Sequence, residues 1–385
     1  MPAFPNYSSD TLAALDAQAD AILALLAARG YARVETSILQ PAEIFLERAG
    51  EEIRRRTFVL TDPAGNELCL RPDLTIPVCR MHLANAGLYP ARLCYNGVVF
   101  RHQPAEPERP TQFFQAGAEF LGADERQAAD VEILSLAVEA LHAAGLHDFH
   151  VKLGDLALFG AFIDALAIPP QWRGRLKRHF WRTGYFEALL EKLSQPPASD
   201  AQRLLAHLGS LAESEARPAF EGLMDLLGTA PLGGRTREEI VQRLIEQAAE
   251  AALRLDSDVA NQIARFLAVS GPATQALAQI RDISRSAGAA LAQPLGAMEE
   301  RLATLQKFGV TPERVSFATR FGRNMEYYTG FVFELWSRDR EGDVQVAGGG
   351  RYDTLMEQLG SPRSGPAIGF TLRTERVFAA RMAAP

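Results

Sequence analysis

The chain has 385 residues, enough for two or three domains around a large core, and at 47% hydrophobic and 23% charged it has an ordinary globular composition. A formal charge of -7 excludes a general nucleic-acid binder, which is basic as a rule, though not a local basic patch. The start MPAFPNYSSD lacks the basic and apolar regions of a secretion signal, no run approaches the ~18 apolar residues of a membrane helix, and Cys69, Cys79 and Cys94 form no CxxC pair. They read as reduced core thiols of a cytoplasmic protein.

In chain order, Ser8, Ser9 and Asp10 cap a helix in which Leu12, Leu15, Ile22, Leu23, Leu25 and Leu26 recur at helical spacing until Gly30. Residues 31–39 read as extended, and a short helix follows from Pro41 through Phe45 and Leu46. Residues 57–61 and 67–71 flank Asp62-Pro63-Ala64-Gly65-Asn66, which predicts a hairpin. Pro72 disfavours helical geometry at Arg71, so Asp73 falls just past a strand end, where ligand contacts are frequent. A plain N-cap for a helix over 76–86 is the other reading of Asp73.

Residues 93–122 predict two strands joined by a polar loop over 102–112. The return run 113–121 is apolar but carries Gln115 and Glu119, four residues apart and therefore on one face of a strand. Buried without partners, they would be costly. A surface hairpin with a polar outer face satisfies them; so does a ligand-facing sheet with Arg101 at the loop base as an anion contact.

Residues 125–144 predict an amphipathic helix ending at Gly145, and 149–153 a strand. His147 and His150 flank Asp148, but their spacing crosses a turn and no further ligand is close, so no metal site is expected. From 169 to 311 the chain becomes rich in Ala, Leu, Glu and Arg with helical periodicity, broken at 194–199 and 228–234. This predicts a helical insertion between two parts of a sheet domain, 1–168 and 312–385. At its start Trp172, Arg173, Arg175, Lys177, Arg178, His179, Trp181 and Arg182 mix cations with tryptophans; on an acidic chain this favours a solvated face or a partner surface over nucleic acid.

Strands return at 315–319, at 331–335 after the run 323–330, at 344–347 before Gly348-Gly349-Gly350-Arg351-Tyr352-Asp353, and at 365–370, with a last helix over 372–382. The glycine run lacks GxGxxG and any following Lys-Ser/Thr pair, so dinucleotide and P-loop chemistry are not supported; the glycines would let a backbone approach a ligand closely. Hairpin-linked strands in two blocks predict an α+β domain, an antiparallel sheet flanked by helices. Asp73, Gln115, Glu119, Arg101, Arg323 and Tyr328 together suit a free α-amino acid. A carboxylate holds the ammonium, an arginine the carboxylate, and Glu with Tyr a polar side chain such as an imidazole.

From about Leu12 to the C-terminus the chain resembles the catalytic core of class II aminoacyl-tRNA synthetases, and within that class histidyl-tRNA synthetase. Phe100-Arg101-His102 through Arg109, Gln112-Phe113 and Gln115 to Glu119 resembles motif 2, and Leu70-Arg71-Pro72-Asp73-Leu74-Thr75 the amino-group-binding segment. Arg323 to Tyr328, followed by Thr329-Gly330-Phe331-Val332-Phe333-Glu334, resembles the histidine-recognition motif; Gly349-Gly350-Arg351-Tyr352-Asp353 resembles the next glycine turn, and Gly369-Phe370 through Glu375-Arg376 motif 3.

There are departures. Asp73 stands for a glutamate and Leu74 for a glycine; Gln103, followed by Pro104, stands for a glutamate in the loop that would clasp ATP and the tRNA acceptor end. The motif 1 proline position falls on Ser37. Arg373 replaces a motif 3 glycine, a long cation that would crowd the adenine pocket. The sequence stops at Pro385, soon after Arg376, where the synthetase continues into an anticodon-binding domain; none is expected here.

This pattern is similar to a paralogous family, the regulatory subunits of ATP phosphoribosyltransferase. The resemblance implies a synthetase-like α+β core with a helical insertion, and no turnover, catalytic residue, cofactor or metal of its own. It implies assembly with the short catalytic subunit that joins ATP and phosphoribosyl pyrophosphate in the first step of histidine biosynthesis. The expected complex is a hetero-octamer, four plus four, built on regulatory dimers, inhibited by histidine and without tRNA. Carried over, Asp73, Thr75 and Gln115 lie near the ligand ammonium, Arg323 near its carboxylate, and Glu119 with Tyr328 near the imidazole. Tyr327 and Arg351-Tyr352 support the wall, and Arg101, Arg109 and Arg376 stand as remnants of an anion or nucleotide site. The alternatives are a histidine-activating enzyme that adenylates histidine for a non-tRNA acceptor, a truncated histidyl-tRNA synthetase, or a scaffold with an empty pocket.

Overall fold

Twelve strands form two sheets in the computed structural model, which describes residues 6–48, 51–103, 109–180, 183–194, 199–226, 236–252, 255–286, 291–322, 327–361 and 365–383. They are β1 (Ala32–Arg33), β2 (Leu39–Pro41), β3 (Phe58–Thr61), β4 (Glu67–Leu70), β5 (Ala91–Phe100), β6 (Gln112–Leu121), β7 (His150–Asp155), β8 (Ser270–Pro272), β9 (Val315–Ala318), β10 (Phe331–Arg338), β11 (Asp343–Arg351) and β12 (Ala367–Arg373). The large sheet has nine strands in the order β1-β5-β6-β12-β11-β10-β7-β9-β8. Its centre, from β5 to β7, is antiparallel throughout; β1 pairs with β5 and β7 with β9 in parallel, so the sheet is mixed at its margins. A separate three-stranded sheet has the order β2-β4-β3.

Local chemistry accounts for the boundaries. Ser8 Oγ accepts from the Thr11 N–H and starts the helix Ser9–Ala28, and Gly30, at φ +83°, turns the chain out of it. By length and composition this helix is apolar enough to cross a membrane, which corrects the expectation that no run is. Here it packs on the protein instead: Ile22 and Leu26 are fully buried, and Gln18 Nε2 donates to the Thr374 carbonyl at 2.8 Å. The predicted hairpin between β3 and β4 closes on Asp62, whose carboxylate accepts from the Ala64 and Asn66 N–H groups at 2.9 and 2.8 Å, with Gly65 at φ +86°. Only residues 32–33 and 39–41 of the extended segment pair as strands, and an unexpected helix, Glu51–Arg56, precedes β3.

The glycine run is also corrected. Gly348–Gly350 lies inside β11 and is not a turn after a strand. A Cβ on Gly349 would sit 2.3 Å from the Gly369 carbonyl and 2.8 Å from the Phe333 ring, so this stretch needs glycine to pair between β10 and β12 at all.

The described chain divides into two compact units, Met1–Ala165 with Phe266–Pro385, and Leu166–Arg265. The helical section is therefore shorter than the 169–311 read from periodicity. Helicity does not mark the boundary, because β8 returns to the large sheet beside β9, and the helices Ala273–Ser286 and Ala292–Lys307 bury Leu277, Ile280, Leu295 and Met298 in the sheet unit. Among the described residues the regular elements of the second unit are all helices, with a core of Ala216, Phe220, Met224, Val241 and Ala248. Of its expected breaks at 194–199 and 228–234, residues 195–198 and all of 228–234 lie outside the described residues.

Candidate functional site

β6 is an interior strand: β5 flanks it on one side and β12 on the other, and it is buried from Gln115 through Leu121. The surface-hairpin reading is thereby removed. Gln115, Gly117 and Glu119 share a face, and register sets Gly117 opposite Tyr95 and Gly369 opposite Glu119. A Cβ on Gly369 would lie 1.7 Å from Glu119 Oε2, and one on Gly117 would lie 3.0 Å from Tyr95 Oη. Glycine at both positions leaves the space that the carboxylate and the phenol occupy.

Glu119 is fully buried. Tyr95 Oη donates to its Oε1 at 2.7 Å, and Tyr352 Oη donates to its Oε2. Burial pushes the carboxyl up to about 7, opposed by the hydroxyls of Tyr352, Tyr95 and Thr75 and reinforced by the charge of Asp73. Burial, and then the charge of Glu119, pushes both phenols well above their usual value, so they stay protonated donors.

Asp73 both braces the start of a helix and lines the cavity described below. Its Oδ1 accepts from the Ile76 N–H at 3.2 Å in the first turn of the helix Thr75–Ala84, while its buried Oδ2 has no hydrogen-bond partner among the described residues. The buried Gln115 Oε1 is in the same condition. Burial raises Asp73 to about 6, with Arg101 opposing the shift. Arg101 Nε donates to the Pro72 carbonyl at 2.6 Å, which ties it to the segment carrying Asp73.

These groups line a narrow cavity of about 10 Å³ together with Thr75, Tyr327, Tyr328, Tyr352, Gly348 of β11 and Gly369, Phe370 and Thr371 of β12. That is room for about one water, so a ligand the size of a free amino acid enters only if the lining opens. Two buried acceptors without partners, on Asp73 and Gln115, call for a ligand with several N–H protons, as an ammonium has. The Tyr327 ring lies tilted 5.0 Å from Tyr328 and edge-on 5.8 Å from Tyr352, which sets that wall.

The cavity thus brings together Asp73, Thr75, Gln115, Tyr327, Tyr328 and Arg101. Glu119 lies behind its lining, in contact with Tyr352, Thr75 and Gly369. Arg323 lies outside the described residues. Arg109 is half-buried beside the hairpin loop and Arg376 donates to the Gln345 carbonyl at 3.2 Å; neither lines the cavity. Gln103 accepts from Arg56 at 3.0 Å and donates to the Pro110 carbonyl at 2.5 Å, bracing that loop. Arg373 and Arg101 both approach the Phe113 ring, at 5.3 and 5.5 Å from its centre.

Sequence reasoning missed Tyr95 and the ionic cluster behind Tyr352. Arg351 binds Asp130 and Asp353, with Nη1 at 2.9 Å from Asp353, and also the Arg126 carbonyl at 2.6 Å; Arg301 joins Asp130 to Asp155. Asp130 and Arg301 lie on separate helices, Arg126–Ala143 and Ala292–Lys307, whose periodicity reveals no pairing. Of the basic segment, Arg173 donates to the Ile168 carbonyl at 2.8 Å and Arg175 lies 5.2 Å from the buried Trp172 ring, so these two brace their own helix; Trp181 and Arg182 lie outside the described residues. Among the described residues no group of three or more His, Cys, Asp or Glu is placed to hold a metal, and the His150 ring stacks 6.5 Å from Trp336.

The family model described as histidyl-tRNA synthetase matches residues 7–256 and 219–377. A solved structure titled as an ATP phosphoribosyltransferase regulatory subunit/histidyl-tRNA synthetase from Bacillus halodurans C superposes with a TM-score of 0.66 at 24% identity, over 98% of this chain and 82% of that one, and shows the fold alone. A histidine–tRNA ligase subunit from Alicyclobacillus acidocaldarius gives a TM-score of 0.59 at 25% identity, over 100% and 97%. The fold is that of the histidyl-tRNA synthetase-like class. Two curated proteins are closer in sequence. The ATP phosphoribosyltransferase regulatory subunit of Allorhizobium ampelinum is 37% identical over 94% of this chain and 97% of its own, and that of Agrobacterium fabrum 37% over 94% and 96%. The chain belongs to the family of ATP phosphoribosyltransferase regulatory subunits.

Proposed function

We infer that this chain is the non-catalytic regulatory partner of a short ATP phosphoribosyltransferase catalytic subunit, and that histidine bound in the cavity described above inhibits the complex. The observation that carries the reading is the lining of the cavity: two buried acceptors lacking partners among the described residues, an arginine and three tyrosines, in a chain that shares 37% identity with regulatory subunits along nearly its whole length. Asp73, Thr75 and Gln115 take the ammonium. Arg101 is the described guanidinium in the lining, and Arg323 is assigned to the carboxylate by resemblance. Tyr327, Tyr328 and Tyr352 enclose the side chain.

Absence of turnover fits Arg373, whose guanidinium sits against the ring of Phe113 where motif 2 and motif 3 meet. Self-association as a dimer fits the small sheet, whose Ile38, Leu39, Val59 and Leu60 are exposed. The reading carries with it a cytoplasmic complex of four regulatory and four catalytic chains. Histidine shifts that complex only through a difference in affinity between its two arrangements; a thirtyfold difference corresponds to about 2 kcal/mol.

The test is co-elution with the short catalytic subunit, with calorimetric titration of histidine into this chain and into Gln115→Ala. Co-elution, with histidine binding that weakens at least tenfold in Gln115→Ala, supports the reading. Absence of histidine binding to the wild type refutes the pocket. Histidine-dependent pyrophosphate–ATP exchange by this chain alone would instead establish the activating-enzyme alternative.

A further inference from the structure

Glu119 is placed oddly for a residue that meets a ligand. It has no accessible surface, and each of its oxygens already accepts a hydrogen bond from a tyrosine. Tyr95 stands on the adjacent strand β5, whereas Tyr352, just past β11, lines the cavity. The close approach of Gly369 leaves Glu119 no room to swing forward through β12. Its route to the ligand therefore runs through the Tyr352 hydroxyl, which has one proton to give and two lone pairs to offer.

We propose that Glu119 is a positioning residue that sets the polarity of Tyr352: as a carboxylate it holds the Tyr352 proton turned inward, so that the phenol oxygen faces the cavity as an acceptor for a ligand ring N–H. When Glu119 is protonated, its own O–H must find an acceptor, and one of the two phenols has to turn its proton away. Tyr352 then presents a donor to the cavity, which a ring N–H cannot use. The ligand class is an amino acid whose side chain carries an N–H donor, and binding draws a proton off the protein. This inference rests on the reading that histidine occupies the cavity.

The surroundings fit a carboxyl that changes charge near neutrality. Tyr95 from β5, Thr75, Asp73 and Cys79 from the segment leading into the helix Thr75–Ala84, and Tyr352 face Glu119. Tyr95, Tyr352 and the Cys79 thiol are all pushed well above their usual values by burial and stay protonated. Asp73, at about 6 and beside Arg101, is largely ionised at pH 7, whereas Glu119, at about 7, is half protonated. If only the carboxylate form binds, affinity rises about tenfold from pH 6 to pH 8, and at pH 7 about half a proton is released per ligand bound.

The experiment is calorimetric titration of the full chain at pH 7 in two buffers of different ionisation enthalpy. The ligands are histidine and triazolylalanine, whose ring takes no proton in this range, so that any proton counted comes from the protein. The expected result is release of about half a proton with triazolylalanine and none in Glu119→Gln. Tyr352→Phe keeps Glu119 but breaks the route; it binds at least tenfold more weakly at pH 8 and loses the pH dependence. Triazolylalanine binding without proton release in the wild type overturns the proposal, and that measurement needs no variant to fold. So does an unchanged pH profile in Tyr352→Phe, which would mean direct contact by Glu119. Failure of both ligands to bind the wild type refutes instead the histidine-pocket reading on which this stands.

Discussion

Replacing Asp130 by alanine tests how the wall behind the pocket is held. Asp130 is nearly fully buried and bridges two guanidiniums, Arg301 and Arg351, that are almost as buried as it is. Without it Arg351 keeps Asp353 at 2.9 Å and the Arg126 carbonyl at 2.6 Å, but Arg301 keeps only a long contact to Asp155 at 3.4 Å and the face of Phe331 at 4.4 Å. Breaking a buried ion pair by removing one partner costs about 3–5 kcal/mol, because a charge is left in low dielectric. The surviving partners put Asp130→Ala toward 3, and adding Arg301→Met, which removes the stranded charge, recovers at least about 1 kcal/mol of it. Urea unfolding followed by circular dichroism measures both. Histidine affinity falls with stability, since Arg351 precedes Tyr352 in the chain. A loss below about 1 kcal/mol, or a double variant no better than the single, would show that the cluster does not brace this wall.

The remaining expectations concern single residues. Gly369→Ala puts a methyl 1.7 Å from Glu119 Oε2, an overlap that costs about 1–3 kcal/mol and weakens histidine binding; equal stability and affinity would contradict the packing of β12 on β6. Glu119 and Asp73 have folded values raised to about 7 and about 6. The folded state therefore holds more protons than the unfolded one, and their contribution is full below the unfolded values near 4 and is lost as pH rises through 6 and 7. At about 1.4 kcal/mol per unit, Glu119 alone lowers stability at pH 8 relative to pH 4 by about 3 kcal/mol, and Glu119→Gln flattens the profile in urea melts by that order. Arg71 is fully buried and donates to the Val98 carbonyl at 2.8 Å and the Thr36 carbonyl at 2.5 Å. Arg71→Met, which strands those acceptors, destabilises by about 2–4 kcal/mol; a change within about 0.5 kcal/mol would mean that the bonds add nothing.

The pocket residues nearest in sequence to strong local signals were the legible ones. Gln115 and Glu119 stood out because two polar groups on one face of a greasy strand demand partners, and Asp73 because a proline fixed the strand end before it. Tyr95 was invisible, since its contact with Glu119 depends on the register of β5 against β6, which no local pattern encodes. The same holds for Asp130 and Arg301, each an unremarkable charge on an amphipathic helix until helix packing brings them together. The glycines of β11 misled because glycine in a row signals a turn locally, whereas here a neighbouring strand's carbonyl demands them. Helical periodicity could not separate the unit Leu166–Arg265 from the helices that follow it, because the distinction lies in what those helices pack against.

Whether this chain governs another subunit's chemistry is read from the ATP phosphoribosyltransferase activity of the short catalytic subunit with and without this chain, titrated with histidine. The expected result is activity that appears on mixing, falls with histidine, and becomes insensitive to histidine in Glu119→Ala while the complex still assembles. A competent catalytic subunit that gains nothing from this chain, or inhibition unchanged in Glu119→Ala, would contradict it.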